Sequence, residues 1–208
     1  GHTVFTPTLT GQGERSHLQS ATVNLSTHVT DILNVIRYEG LSDVVLLGHS
    51  YGGIVIAGVA DAIPEQIAAL VYLDAFIPED GKSLFDLYIP AAAQMFVDRA
   101  GALGGLFVPP PPAAFFGVNE QDAPRVDALA APHPIATMME KVRLTGAYKR
   151  VGKRIYVHGT VLPRESPFKP FYEQAQREGW ETHALSCGHD IMLDRPEELT
   201  AILEKAGR

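Results

Sequence analysis

Val44-Val45-Leu46-Leu47-Gly48-His49-Ser50-Tyr51-Gly52-Gly53 is the stretch that decides the fold of this chain. An apolar, β-rich run ends abruptly in Gly-x-Ser-x-Gly, and the small residues from Ile54 to Ala62 predict a helix directly after it. A strand that turns so sharply into a helix strains its central residue, and Gly48 and Gly52 remove side chains that would collide across the turn. Ser50 should therefore stand clear of the sheet, with the amides of the following helix, that of Tyr51 first, facing any oxyanion beside it. Ser50 is the candidate nucleophile.

His189 is the candidate base for that serine. A predicted strand from Trp180 to Leu185 leads into a loop with Gly188 before His189, and a last helix opens near Asp194. A serine nucleophile needs an imidazole to take its proton, and a histidine in such a loop can reach the end of the sheet.

The remaining histidines are assigned non-catalytic positions. No pair of them has metal-ligand spacing, so we expect no metal and no zinc-dependent chemistry. We predict a lining or supporting position for His158, at a strand end, and a ring turned away from Ser50 for His49, which precedes it. For the others we predict surface or capping positions; these are His2, His17, His28, His133 and His183.

From Gly1 to Arg208 the chain resembles the α/β-hydrolase superfamily. Within it, the chain is most similar to the small carboxylesterase branch of plant methylesterases, hydroxynitrile lyases and bacterial pyrethroid or ester hydrolases. The matching pieces are Thr6 to Gly11, Gly48 to Gly53, Val71 to Pro78 and Gly188 to Asp190. The resemblance implies an α/β fold with a mostly parallel sheet flanked by helices, in a single domain over residues 1–208.

The catalytic acid departs from the pattern of that branch. There it lies in the loop after the strand Arg154 to His158, but here residues 159–165 carry Val, Leu and Pro where an Asp is expected. Triad chemistry still needs a carboxylate to orient the imidazole. Asp74 closes the predicted strand Ala69 to Leu73 at the same sheet edge as the nucleophile, and some superfamily members carry their acid there. We predict Asp74 as the acid, with Glu165 in reserve and a purely turn-capping Asp74 as the alternative.

The front of the chain departs as well. Gly1 to Thr6 is predicted to be a strand, while the customary strand ending in His-Gly, whose loop supplies a second oxyanion donor, is missing from this chain. Such a strand with its crossover needs about 30 residues. We expect N-terminal residues of this kind in the natural protein, because two rows of backbone groups would otherwise stay unpaired at the centre of the sheet. The alternative is an oxyanion hole built differently.

Residues 83–149 lose the strand-helix rhythm and become rich in Ala, Gly and Pro. Four consecutive prolines, Pro109 to Pro112, favour a stiff extended segment, which in isolation could be a linker. The resemblance implies a cap over the site at this position. We predict a hydrophobic pocket lined by candidates from the cap and the sheet edge: Phe76, Phe115, Phe116 and Met138.

Composition narrows the function classes. With 208 residues, of which 46% are hydrophobic, the chain can bury one substantial core. A net charge of −7 without a Lys/Arg run argues against nucleic acid as a partner. The sequence contains no run of 18 apolar residues, so we expect no membrane partner, and a cytoplasmic location is the default expectation. The single cysteine, Cys187, excludes an internal disulfide and is interpreted as a packed loop residue. The sequence leaves the oligomeric state open and is compatible with a homo-oligomer.

These features predict a serine hydrolase that cleaves carboxylic esters with a hydrophobic acyl or alcohol group. Ser50, His189 and Asp74 would form an acyl-enzyme, the Tyr51 amide would hold the oxyanion, and no cofactor would be needed. Two alternatives remain open. One is a hydroxynitrile-lyase-like enzyme, which would need a cation such as Lys82, and the other is a non-catalytic ligand-binding receptor on the same fold.

Overall fold

A parallel sheet between helices forms the body of the protein in the computed structural model, which describes residues 1–208. The strands are β1 Val44–His49, β2 Ile67–Leu73, β3 Phe107–Val108, β4 His133–Pro134, β5 Lys153–Gly159 and β6 Glu181–Leu185. The helices are α1 Leu25–Tyr38, α2 Gly52–Ala62, α3 Leu84–Leu87, α4 Pro90–Gly101, α5 Ala123–Leu129, α6 Ile135–Met139, α7 Lys169–Arg177, α8 Ile191–Asp194 and α9 Pro196–Ala206. The α/β architecture predicted from the sequence is confirmed.

The main sheet has four strands in the order β1-β2-β5-β6, and every neighbouring pair is parallel. Register aligns His49 with Leu73 and Leu73 with Val157. The carboxyl ends of the strands therefore meet at one edge, where ligands bind in open α/β sheets. The residues that follow β1 and β2 are Ser50 and Asp74, which places both at this edge.

The two central strands are apolar on both faces because helices cover both faces. On one side Tyr72 and Tyr156 pack into the larger hydrophobic cluster with α2 and α7. On the other side Val71 and Ile155 pack against α8 and α9. Burial on both faces explains why β2, and β5 from Ile155 to Val157, form continuous apolar runs rather than alternating ones.

Helix α1 begins with a capping box. The Asn24 side chain accepts from the Thr27 N–H, and the Thr27 hydroxyl accepts from the Asn24 N–H. Such caps satisfy backbone donors that the first turn leaves free and contribute about 1 kcal/mol. The helix ends before Gly40, whose φ of 63° suits the left-handed exit that glycine tolerates. The helical spacing of the apolar residues ahead of Gly40 predicts this helix from the sequence, and the structure confirms it; these residues are Leu25, Val29, Ile32, Leu33 and Ile36.

The N-terminal segment does not form the strand that the sequence predicted. Residues 1–7 are exposed and have no regular secondary structure. A strand needs a neighbour to accept and donate its backbone hydrogen bonds, and no strand of the main sheet lies beside this segment. Strand β1 accordingly pairs with β2 alone and forms one edge of the sheet.

Residues 83–149 lie between β2 and β5 and fold into four helices and the short antiparallel pair β3–β4. The Arg99 guanidinium donates hydrogen bonds to the carbonyls of Pro109 and Pro110. These bonds attach the extended proline run to α4. None of the helices of the protein is both long and apolar enough to cross a membrane.

Candidate active site

Ser50 sits at the tip of a strained strand-to-helix turn. Its φ is 56°, in the left-handed region that residues with a side chain seldom occupy, at a typical cost of about 1–3 kcal/mol. Three backbone hydrogen bonds hold it there. The Ser50 N–H donates to the Leu73 carbonyl at 3.2 Å, and the Ser50 carbonyl accepts from Gly53 at 3.1 Å and Phe76 at 3.2 Å. The neighbouring β2 strand and the residues after it thus fix the turn, and the Ser50 residue stays half-buried.

Two glycines make that turn possible. A Cβ on Gly48 would collide with the backbone carbonyl of Gly52, and a Cβ on Gly53 would collide with that of Phe76. The expectation that Gly52 relieves a collision is wrong, because a Cβ there would meet no atom within 4 Å. The second steric requirement falls on Gly53, where α2 crosses the segment after β2.

The Tyr51 amide is free to hold an oxyanion. Tyr51 caps the N-terminus of α2 in helical conformation, and its N–H donates to no acceptor within the chain. Free amides at a helix N-terminus carry partial positive charge. The position next to Ser50 matches the amide that stabilises the tetrahedral intermediate at such turns.

Asp74 lies fully buried directly after β2, with a φ of 41°. Its Oδ2 accepts a hydrogen bond from His189 Nδ1 at 2.7 Å. Burial alone would raise the pKa of this carboxyl, but hydrogen bonds from His158 and His189 outweigh burial and hold the pKa below its ordinary value of 3.8. Asp74 is therefore ionised at neutral pH.

His189 is positioned by groups on every side. Its backbone N–H donates to the Phe116 carbonyl at 2.9 Å, and its ring stacks on Phe168 at 4.5 Å with an interplanar angle of 5°. Because the Asp74 carboxylate only accepts, the hydrogen of a neutral His189 lies on Nδ1 and leaves the Nε2 lone pair free. That tautomer can take a proton from a hydroxyl.

His158 binds the same carboxylate from the other side. Its Nδ1 donates to Asp74 Oδ1 at 2.7 Å, and the Gly159 N–H approaches the same oxygen at 3.3 Å. The sequence predicted a lining or supporting position for His158 from its place at a strand end, without naming its partner. The structure brings it to Asp74, the candidate acid.

The other predicted site residues lie at different depths. Phe76 is 1% exposed and packs within the core, and Met138 is also buried. The ring of Phe116 lies 5.5 Å from that of His189, whereas Phe115 carries the Arg164 guanidinium on its face. The reserve acid, Glu165, is exposed and makes no hydrogen bond to His189.

Two histidines near the nucleophile were misjudged from the sequence. His28 is fully buried, with Nδ1 at 3.0 Å from the Tyr51 hydroxyl and Nε2 at 2.9 Å from the Thr10 carbonyl. The ring centroids of His133 and Tyr51 lie 5.0 Å apart in an edge-to-face arrangement, and His133 Nε2 lies 2.7 Å from the Thr137 hydroxyl. The expected surface or capping positions are wrong for both. His28 lies three residues after the buried Leu25, on the apolar stripe of α1, and that spacing was the available signal.

Two further observations concern alternative chemistry. Burial raises the pKa of the Cys187 thiol to about 11, which removes the thiolate that a cysteine nucleophile requires. The structure has no group of three or more His, Cys, Asp or Glu side chains arranged to hold a metal ion.

Comparison with known proteins adds independent evidence. Residues 1–202 match the family described as the alpha/beta hydrolase family. A carbendazim hydrolyzing esterase of Nocardioides sp. is 41% identical over 217 residues, which cover 100% of this chain and 89% of that protein. This chain belongs to the alpha/beta hydrolase family.

Two further similar proteins support the assignment of this hydrolase to the family. A pyrethroid hydrolase of Sphingobium wenxiniae is 40% identical over 84 residues, covering 39% of this chain and 29% of that protein. An extracellular alpha/beta-hydrolase from a Paenibacillus species, described as a structural and functional homologue of tobacco salicylic acid binding protein 2, superposes with a TM-score of 0.85. It is 26% identical and covers 100% of this chain and 88% of that chain. The chain is a carboxylesterase-like enzyme that hydrolyses esters, and the branch indicated by its motifs is confirmed.

Proposed function

We propose that this hydrolase cleaves carboxylic esters with a hydrophobic acyl or alcohol group through a covalent acyl-enzyme on Ser50. The observation that carries the proposal is the 2.7 Å hydrogen bond from His189 Nδ1 to the buried Asp74, at the sheet edge where Ser50 stands on its strained turn. A nucleophile, a base and an orienting acid in this arrangement are the parts of serine hydrolysis.

The reaction follows from those roles. His189 Nε2 takes the Ser50 hydroxyl proton as the serine oxygen attacks the ester carbonyl, and the Tyr51 amide donates to the oxyanion that forms. His189 then passes its proton to the departing alkoxide, which leaves as the alcohol. Water then attacks the acyl-enzyme while His189 accepts one of its protons. His189 returns that proton to Ser50 Oγ as the carboxylic acid leaves. Asp74 stays ionised throughout and balances the transient imidazolium.

The substrate class is supported by the aromatic side chains around His189. Phe116 and Phe168 flank its ring, and Phe76 lies 5.0 Å beyond Phe168. Phe168 and Phe76 are buried in the core, so the half-buried Phe116 is the side chain placed to meet a hydrophobic or aromatic group beside the scissile carbonyl. The Nocardioides relative is named as a carbendazim hydrolyzing esterase, so carbendazim and aromatic methyl esters are the first compounds to test.

We also propose that residues 83–149 form the cap of this site. The turn at Gly117 approaches the His189 loop so closely that a Cβ on Gly188 would collide with the Gly117 carbonyl. The Phe116 carbonyl accepts the His189 N–H within the same contact. A segment that touches the base directly is placed to restrict which substrates reach it.

Neither alternative function gains support from the side chains. Lys82, the cation that a hydroxynitrile-lyase mechanism would need, is exposed in a turn after Glu79. A non-catalytic receptor would not need an ionised Asp74 bound to His189 Nδ1, although a retained site could keep that contact.

Labelling with a fluorophosphonate, followed by peptide mass analysis, tests the proposal. We expect one adduct on Ser50 and a burst of p-nitrophenol from a p-nitrophenyl ester. Ser50→Ala and His189→Ala should each lower kcat by several orders of magnitude, and the double variant should lose no more than either, because the residues act as one unit. Labelling that persists in Ser50→Ala would contradict the assigned nucleophile, and labelling without ester turnover would favour the receptor alternative.

A further inference from the structure

We infer that His158 is a positioning residue that holds Asp74 in the orientation and charge state His189 needs, so that two imidazoles share one carboxylate. This inference rests on the proposed function. It adds a fourth member to the set of Ser50, His189 and Asp74, and this member acts through Asp74 alone.

The geometry of Asp74 carries the first step. His189 Nδ1 and His158 Nδ1 donate to opposite oxygens of the carboxylate, each at 2.7 Å. Asp74 is 0% exposed, so no solvent can replace either donor. Without His158, Oδ1 would keep only the Gly159 N–H at 3.3 Å. The carboxylate could then turn about its Cβ–Cγ bond, and Oδ2 would lose its aim at His189.

Electrostatics carries the second step. A buried carboxylate stays ionised only when hydrogen-bond donors replace the water it has lost. His189 becomes positive during each chemical step, and the Asp74 charge stabilises that imidazolium. A donor on Oδ1 therefore lowers the transition state for acylation and deacylation, while it changes the resting complex with substrate little.

The third argument is that stacking contacts fix the rings of both His158 and His189. The His158 ring stacks on Tyr172 at 5.1 Å and an interplanar angle of 28°, and the His189 ring stacks on Phe168 at 4.5 Å. Phe168 precedes α7 and Tyr172 lies one helical turn further on, so both rings face the same side. One helix thus fixes the planes of both imidazoles that meet at Asp74. A histidine with only a packing role would not need its Nδ1 directed at the carboxylate.

Two substitutions at one position separate the donor from the ring. His158→Asn keeps an N–H near the position of Nδ1 but removes the ring, whereas His158→Phe keeps a ring for Tyr172 but has no donor. We expect His158→Phe to lower kcat by roughly 10- to 100-fold, the loss of one hydrogen bond to a charged group, with KM within about 3-fold. His158→Asn should retain kcat within roughly 5-fold of the unsubstituted enzyme.

The coupling to Asp74 gives a readout that a packing role would not move. In an Asp74→Asn background, His158→Phe should change the fluorophosphonate labelling rate by less than about 3-fold, because its effect passes through the absent carboxylate. Thermal unfolding of every variant checks the fold. If His158→Phe does not fold, His158→Leu, which likewise has no hydrogen-bond donor, replaces it with the same expectation.

Three results would overturn the inference: equal losses in His158→Asn and His158→Phe, a loss confined to KM, or effects of Asp74 and His158 that multiply in the double variant. Each can occur while Ser50 of the unsubstituted enzyme still labels, in which case the proposed function stands and the role of His158 fails. Absence of labelling in the unsubstituted enzyme would instead remove the proposed function.

Discussion

At the scale of single residues, Ser50 and Asp74 share a backbone property that no other pair at the sheet edge has. Both follow adjacent parallel strands, and both hold a side chain at positive φ, 56° and 41° respectively. Strain of this kind persists only where surrounding hydrogen bonds enforce it, here from Ser50 N to Leu73 O and from Asp74 N to Val157 O at 2.7 Å. Each residue is thereby turned away from the strand direction and into the site.

The first prediction concerns the acid. Asp74→Asn keeps the shape of the side chain but lets its amide donate to His189, which favours the wrong imidazole tautomer. We expect kcat to fall by about 10⁴ while the protein still folds. Steady-state hydrolysis of a p-nitrophenyl ester and thermal unfolding measure the two quantities.

Glu165→Gln is the matched control for that prediction, because it makes the same chemical change on an exposed carboxylate. We expect its kcat to stay within about 2-fold. A large loss in Glu165→Gln with little loss in Asp74→Asn would transfer the acid role to Glu165 and leave ester hydrolysis as the activity.

At the scale of elements, local sequence signals were sufficient to predict the turn at Ser50, the strands β2 and β5, and the helix α1. They failed where contacts between distant segments decide the structure. The collision that requires Gly53 involves Phe76, and the burial of His28 depends on Tyr51 and Thr10. The partner of His158 is likewise 84 residues away in sequence. No window of neighbouring residues contains such information.

The second prediction concerns the hydrogen bond between His28 of α1 and the Tyr51 side chain next to Ser50. Tyr51→Phe keeps the ring against His133 but leaves Nδ1 of the fully buried His28 without its partner. We expect the free energy of unfolding to fall by about 1–3 kcal/mol, the penalty for one unsatisfied buried group. Urea unfolding measures it. Tyr38→Phe, at a tyrosine that is 77% exposed, is the control and should change stability by less than about 0.5 kcal/mol.

The third prediction concerns the proposed cap. Phe115 holds the Arg164 guanidinium on its face at 3.6 Å and joins residues 83–149 to the loop after β5. Phe115→Ala should change the ratio of kcat/KM between long and short acyl esters more than it changes turnover of an acetate ester. Contacts remote from the carbonyl act on larger substrates alone. Equal effects on every ester, together with a lowered Tm, would indicate lost stability and count against a cap.

At the scale of the whole molecule, two neutral histidines, the fully buried His28 and the half-buried His133, link stability to pH. Burial lowers the pKa of His28 from its ordinary 6.5, and burial and His28 lower the pKa of His133 to about 3. Below pH 6.5 the unfolded chain binds protons at these positions that the folded chain does not. Their contribution to stability is therefore complete above pH 6.5 and is lost as pH falls.

The fourth prediction follows from that linkage. As the pH is lowered from 6.5 to 5, the free energy of unfolding should decrease. His28→Gln should reduce the slope of that free energy against pH by up to about 1.4 kcal/mol per pH unit, the value for one proton. Urea unfolding at several pH values measures both slopes. His17→Gln, at an exposed histidine, should leave the slope unchanged. An unchanged slope in His28→Gln would mean that His28 titrates alike in both states.

The register that gathers the strand ends at one edge also sets the order in which activity can appear during folding. Asp74 and His189 are 115 residues apart in sequence, and they meet only when β2, β5 and β6 are all paired. Helices form from neighbouring residues in microseconds, whereas such distant pairings come late because long loops must close first. In a refolding experiment, helical circular dichroism should therefore return before fluorophosphonate reactivity. Under the proposed mechanism, reactivity at Ser50 reports completion of the sheet, so a compact intermediate with native-like helical signal would not react with the fluorophosphonate.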